Sequence, residues 1–157
     1  MEISVKMFHL PKKVVFAVEA VVDIAYHAGS QPVQSRDITR RQGIPRRYLE
    51  QALQELVKAN LLHGVRGPKG GYNLARERRR ISLGNIVEII SKMDQSVNMF
   101  EEDVGSNLTK LVISPLLSEH QNEMMRKLNQ ISIDDLCEKA RSCGVISEGR
   151  KNLDFSI

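Results

Sequence analysis

RRYLEQALQELVKANLLHGVRGPKGGYNLAR, residues 46–76, is the stretch whose reading decides the fold. In its first half Leu49, Ala52, Leu53, Leu56 and Val57 recur at helical spacing, which predicts a helix with an inward apolar stripe. Arg46, Arg47, Glu50, Gln51, Gln54 and Lys58 are left for the other face, with most of the charge at the N-terminal end. In the second half Leu61, Leu62 and Val65, then Tyr72 and Leu74, predict two short strands around a glycine-built loop. Gly67, Gly70 and Gly71 let that loop take positive φ and pass close to another surface; Pro68 stiffens it, and Arg66 and Lys69 supply charge. A thin cationic loop suits a nucleic-acid groove. As a bare motif it equally describes a hairpin that only joins two strands, and the basic helix before it breaks the tie.

Working upstream, Ser35 is expected to cap a short helix running to Arg41, with Gly43 ending it. Ile44 and Pro45 follow as a tight turn, and Pro45, which needs no N–H there, is expected as the first residue of the next helix. Residues 35–60 therefore read as helix, turn, helix, and the two strands add a wing. In such units the N-terminal part of the second helix contacts base edges, where Arg46, Arg47, Glu50 and Gln51 stand here. Further upstream, residues 11–28 carry Val14, Val18, Val21, Val22 and Ala25 at helical spacing over a length no ordinary strand reaches. Lys12 and Lys13 fall in the first turn, where side chains and free N–H groups together can hold a phosphate.

Charge divides along the chain. Residues 1–90 hold 15 Lys+Arg against 8 Asp+Glu, whereas residues 91–157 hold 8 against 11. A basic first half joined to a mildly acidic second half places the nucleic-acid contact in the first. Arg76, Arg78, Arg79 and Arg80 also suit a solvated loop, and any contact from them is auxiliary. No apolar run approaches the ~20 residues of a membrane span, and the first residues lack a signal-peptide pattern, so a cytoplasmic location is expected. Two cysteines are too few for a disulfide scaffold.

RRYLEQ, LVKANLLHGVRGPKGGYNLAR and ISLGNIVEII (81–90) together resemble the corresponding segments of the winged-helix regulators of the Rrf2 family. The similarity is strong over residues 5–90 and weaker over 105–140, and YLEQ followed at this distance by RGPxGGY is a specific pair. The resemblance implies a homodimeric transcription regulator, a repressor, that reads a dyad-symmetric operator in double-stranded DNA, with the recognition helix in the major groove and the wing arginine in the minor groove. It puts the base-reading positions on Arg47, Glu50 and Gln51 and the wing arginine on Arg66. The chemistry agrees: Arg pairs with guanine, Gln with adenine, Glu accepts from cytosine, and an arginine suits the negative potential of a narrow minor groove. Tyr48 reads as a packed residue whose hydroxyl reaches a phosphate.

The chain departs from the family pattern twice. Relatives usually carry serine where Pro45 stands, so the side-chain cap of the recognition helix is lost. Cluster-bearing relatives place three cysteines in the segment corresponding to residues 92–107, and KMDQSVNMFEEDVGSN has none. Iron–sulfur clusters are held chiefly by cysteine thiolates, so no cofactor is expected and the resemblance points to the cluster-free branch. Asp94, Glu101, Glu102, Asp103 and His120 are the only candidates for a hard metal, and their spacing reads as a solvated linker. Cys137 and Cys143, six residues apart, fall on different faces of one helix opened by Ser132 and closed before Gly144. They read as buried apolar side chains, with a thiol switch as the alternative.

Leu108, Leu111, Val112, Leu116, Leu117, Met124 and Leu128 form an apolar helical stripe expected to pack on a second copy. Pro115 predicts a kink, or a fresh helix capped by Ser114. The expected organisation is mainly α: a winged helix-turn-helix domain (1–91), a linker (92–107), a helical dimerisation region (108–146) and a loosely held tail (147–157). The alternative function is a winged-helix module that binds protein, or a thiol-responsive regulator. A regulatory protein partner or small effector is left open as the signal. No nucleophile and base constellation or phosphate-cradling loop suggests an enzyme.

Overall fold

The computed structural model describes residues 10–93 and 105–149. Around a central helix α1 (Lys12–Tyr26) pack α2 (Ser35–Gln42), α3 (Arg46–Lys58), an antiparallel hairpin of β1 (Leu62–Val65) and β2 (Gly71–Leu74), α4 (Leu83–Met93) and α6 (Ile133–Ser142), while α5 (Ser114–Asn129) lies against α4. Asp94, Glu101, Glu102 and Asp103, with most of the 92–107 linker, and residues 150–157 lie outside the described residues.

Packing on α1 uses smaller side chains than the valine spacing suggested. Ala17 and Ala20 lie fully inside with Val14, Val21 and Ile24, while Val18 and Val22 are half-buried. Alanines on that face let α3, α4 and α6 approach the α1 backbone closely, and the larger volumes come from Leu53, Leu56, Ile86 and Ile133.

Helix α2 begins at Ser35 itself, so Ser35 is not the cap. Gln34 holds that position in an extended conformation, and no side chain bonds the helix start. The backbone of Val33 is already committed to the hairpin, its N–H donating to Tyr72 O (3.0 Å) and its C=O accepting from Tyr72 N (2.8 Å), so the helix turns in only after Gln34. Gly43, at φ 67°, closes α2 as expected. Pro45 likewise stands one place earlier than expected: its ψ of 130° is polyproline-like, which leaves it as the cap position and Arg46 as the first helical residue. Along α3, Leu49, Ala52, Leu53 and Leu56 point inward, but Val57 does not; it is 37% exposed and faces the hairpin.

The second half is fastened to the first through a backbone bridge and through α6. Ser82 and Ser132 form an isolated antiparallel bridge, in which Leu83 N donates to Ile131 O and Ile133 N to Ile81 O, both at 2.8 Å. A capping box then opens α6: Asp135 N donates to Ser132 Oγ, and Ser132 N donates to the Asp135 carboxylate. From there Ile133 and Cys137 reach the core, so α6, within the range expected for dimerisation, packs against α1.

Pro115 produces neither a fresh helix nor a Ser114 cap. The helix runs through it, and the strain is absorbed one turn earlier by a π-turn over Thr109–Ile113. A proline has no N–H and crowds the carbonyl four residues back, here Leu111, and widening that turn accommodates both defects. Leu128, placed in the outward stripe from spacing, turns inward with Met125 against the core.

The loose tail expected over 147–157 is corrected for residues 147–149, the part of it that the structure describes. Ser147 and Gly149 are buried, and Ser147 Oγ donates to Tyr26 O at 2.7 Å. Among the described residues no helix is long and apolar enough to cross a membrane.

Candidate nucleic-acid interface

An open groove of about 980 Å³ runs between the hairpin, α3 and the first turn of α2. Arg46 stands on its α3 wall and Arg66 on its hairpin wall, and Val57 lies in its floor. A third wall, not expected from the sequence, is the first turn of α2, which contributes Gln34, Ser35 and Arg36, and where Gln34 Nε2 lies 3.5 Å from Pro68 O of the loop. The only prior signal was Arg36 itself, an arginine at a helix start, where a cation stabilises nothing and so has some other use.

The loop's glycines do different jobs. Gly67 alone takes positive φ, at 110°. Gly71 is required by crowding: a Cβ there would stand 2.4 Å from Val33 O. The expectation of positive φ at Gly70 and Gly71 is therefore corrected to close backbone approach, the same approach that lets β2 bond Val33 and fixes the loop relative to α2.

The remaining sites expected from sequence are all on the surface. Arg47, Glu50 and Gln51 are exposed on α3, and Lys69 is exposed on the loop. Lys12 and Lys13 are exposed in the first turn of α1. Among these the groove itself gathers only Arg46 and Arg66. Tyr48 is 42% exposed and its ring leans on Phe16, centroids 6.1 Å apart, so it packs with its edge outward. Arg46 and Glu50 are not independent, since Arg46 Nε donates to Glu50 Oε1 at 2.8 Å one turn along. No side chain caps α3 among the described residues, so the amides of its first turn face outward beside two arginines. The arrangement offers hydrogen-bond donors and positive charge to an anionic, grooved partner. Arg78 and Arg79, by contrast, are drawn to Asp134 of α6, at 2.6 and 3.3 Å.

The cysteines do not form a thiolate set. Cys137 is fully buried, and desolvation pushes its thiol above the ordinary value despite Arg78 nearby; Cys143 is exposed at the end of the same helix. The reading of both as buried is thus right for Cys137 and wrong for Cys143, which α6 delivers to its C-cap. Among the described residues no three His, Cys, Asp or Glu side chains converge as metal ligands. These two thiols do not fit the ligand set of an iron–sulfur cluster.

Residues 10–139 match the sequence profile of Rrf2, described as an iron-dependent transcriptional regulator. The HTH-type transcriptional regulator IscR of Vibrio campbellii is 43% identical over 142 residues, covering 90% of this chain and 83% of that protein. Protein rrf2 of Nitratidesulfovibrio vulgaris is 33% identical over 129 residues, 82% of this chain and 86% of that one. Among solved structures, IscR of T. potens superposes with a TM-score of 0.70 at 30% identity over 90% of this chain and 94% of its own. CymR of B. subtilis, at 22% identity and a TM-score of 0.64 over 85% and 98%, shares the fold.

Proposed function

Since the chain belongs to the Rrf2 family of DNA-binding transcriptional regulators, we propose that it works as a homodimer that reads a dyad-symmetric operator and represses the adjacent promoter. Its task is regulation of transcription through DNA, with no catalytic step. The observation that carries the finer reading is the groove in which Arg46, Arg66 and Arg36 converge from α3, the hairpin and α2. In this reading Arg47 and Gln51 meet base edges in the major groove, and Glu50, held by Arg46, sets the preference between bases there. Arg66 enters the minor groove, and Lys12, Lys13, Lys69, Arg36 and the Tyr48 hydroxyl take phosphates.

A second copy is favoured by the turn that leads into α5 and by the first half of α5 itself. Leu108, Leu111, Val112, Leu116 and Leu117 are each more than half exposed, with Leu111 at 75%. A stripe of this kind is costly in water and suits a symmetric helix pair. The protein acts in the cytoplasm, without an iron–sulfur cluster, because two cysteines so placed supply too few thiolates.

Fluorescence anisotropy with a dyad-bearing duplex tests the DNA reading: binding should weaken with Arg66→Ala and Gln51→Ala and fall steeply with salt. Wild-type indifference to DNA would end it. Run-off transcription distinguishes repression from activation. Anaerobically purified protein should be colourless and iron-free while still binding DNA, and brown protein with stoichiometric iron would overturn the cluster-free assignment.

A further inference from the structure

The C-terminal residues 145–149 lie past the span matched by the family and are built into the helix-turn-helix by a set of contacts its DNA reading does not use. The Tyr26 hydroxyl donates to Val145 O, Ser147 Oγ donates to Tyr26 O, and Glu148 N donates to His27 Nδ1 at 3.0 Å. The Glu148 carboxylate accepts from Arg40 at 3.0 Å and from Arg41 at 2.6 Å, both in the last turn of α2. Gly149 passes so close to the end of α1 that a Cβ there would stand 2.3 Å from Ala28 O. Beneath this lies Asp23, whose side chain is fully buried and accepts from Arg41 twice (2.7 and 2.8 Å) and from Gln42 (2.9 Å).

We infer that residues 145–149 are a proton-sensitive clasp that locks α2 to α1, and that protonation of His27 opens it. The lock depends on one tautomer. Because Glu148 N–H donates to Nδ1, that nitrogen must be bare, and the ring proton sits on Nε2, 3.8 Å from Asp23 Oδ2. A second proton would set an N–H against the Glu148 N–H and lose the bond.

Charged groups face the ring from every packed element, and they pull in both directions. From α1 come Asp23 and the edge of the Tyr26 ring, from α2 come Arg40 and Arg41, and from the clasp comes Glu148. Burial foremost, then Arg41, holds the imidazole below its ordinary 6.5, against the pull of Asp23 and Glu148. Since the docked value lies below the free one, the clasp is fully held above pH 6.5 and is lost as pH falls through the docked value. Over that window the docking constant drops by up to about tenfold per pH unit.

The test is amide hydrogen exchange and histidine titration by NMR on the full chain, with exchange corrected for its intrinsic pH dependence. Protection of the Glu148 amide should fall with the midpoint at which His27 takes up its proton. In His27→Asn the side-chain oxygen still accepts from that amide but does not titrate, so protection should stay level from pH 7.5 to 5. Protection that ignores the protonation of His27, or a His27→Asn protein that loses it with the wild-type midpoint, would overturn the inference. If the variant does not fold, the wild-type pair of measurements decides alone. No DNA enters the experiment, so its failure and a failure of operator binding are separately visible.

Discussion

Replacing Gly71 by alanine tests whether the hairpin acts by being docked or merely by being charged. The new Cβ would stand 2.4 Å from Val33 O and 2.7 Å from Val33 C, and backbone atoms cannot swing aside as a side-chain tip can. Strand β2 must therefore pull off Val33, breaking the two hydrogen bonds of 3.0 and 2.8 Å between Val33 and Tyr72. At about 0.5–1.5 kcal/mol net for each, the fold should lose about 1–3 kcal/mol. Arg66 would then be carried on a hairpin with no fixed position against α2 and α3. Taking a well-placed arginine contact at about 1–3 kcal/mol, affinity for operator DNA should fall roughly 5- to 150-fold. Urea unfolding measures the first quantity and fluorescence anisotropy the second, on wild type, Gly71→Ala, Arg66→Ala and the double variant. Because both changes remove the same contact, the double variant should bind little worse than the weaker single one. Full additivity of the affinity losses, or a Gly71→Ala protein with the wild-type urea midpoint, would refute the docking argument.

Asp23→Ala leaves Arg41, only 11% exposed, without its main partner, and denaturant unfolding should show a loss of about 3–5 kcal/mol. If the proposed homodimer pairs through this stripe, Leu111→Asp with Leu117→Asp should convert it to monomer by sedimentation while leaving the monomer's stability within about 0.5 kcal/mol, since both residues are exposed in the single chain; a dimer unchanged by the two aspartates would place its interface elsewhere, and a monomeric wild type would end the dimer proposal. Ser132→Ala removes the side-chain half of the α6 cap and should cost about 1 kcal/mol in urea unfolding. Bonding from the Ser132 amide and then its hydroxyl holds the Asp135 carboxyl below its ordinary 3.8, so the carboxylate's own share of the capping box is complete above pH 3.8 and fades as pH falls through the lower folded value.

The helix-turn-helix and its wing were legible because each is encoded locally. The stripe of Leu49, Leu53 and Leu56, the glycines of the loop and the clustered arginines act over distances of a few residues, which periodicity and turn chemistry report directly. Small offsets arose where a distant contact intervened. Ser35 lost its cap position because Val33 was pinned by Tyr72, and Val57 left the core because the hairpin opened a groove beside it.

By itself, then, the sequence determined the winged helix, its basic face and the absence of a cysteine set in residues 92–107. Only the tertiary structure decided which charges are used up. Arg41 and Arg46 look alike in the chain, yet one is clamped between Asp23 and Glu148, and the other pairs one turn along its helix at the mouth of the groove. The same holds for Cys137 inside and Cys143 outside, and for Ser147–Gly149, read as tail and found docked. The reason is physical: a polar side chain's fate depends on donors, acceptors and burial supplied by elements far away in sequence, and no local pattern carries that information.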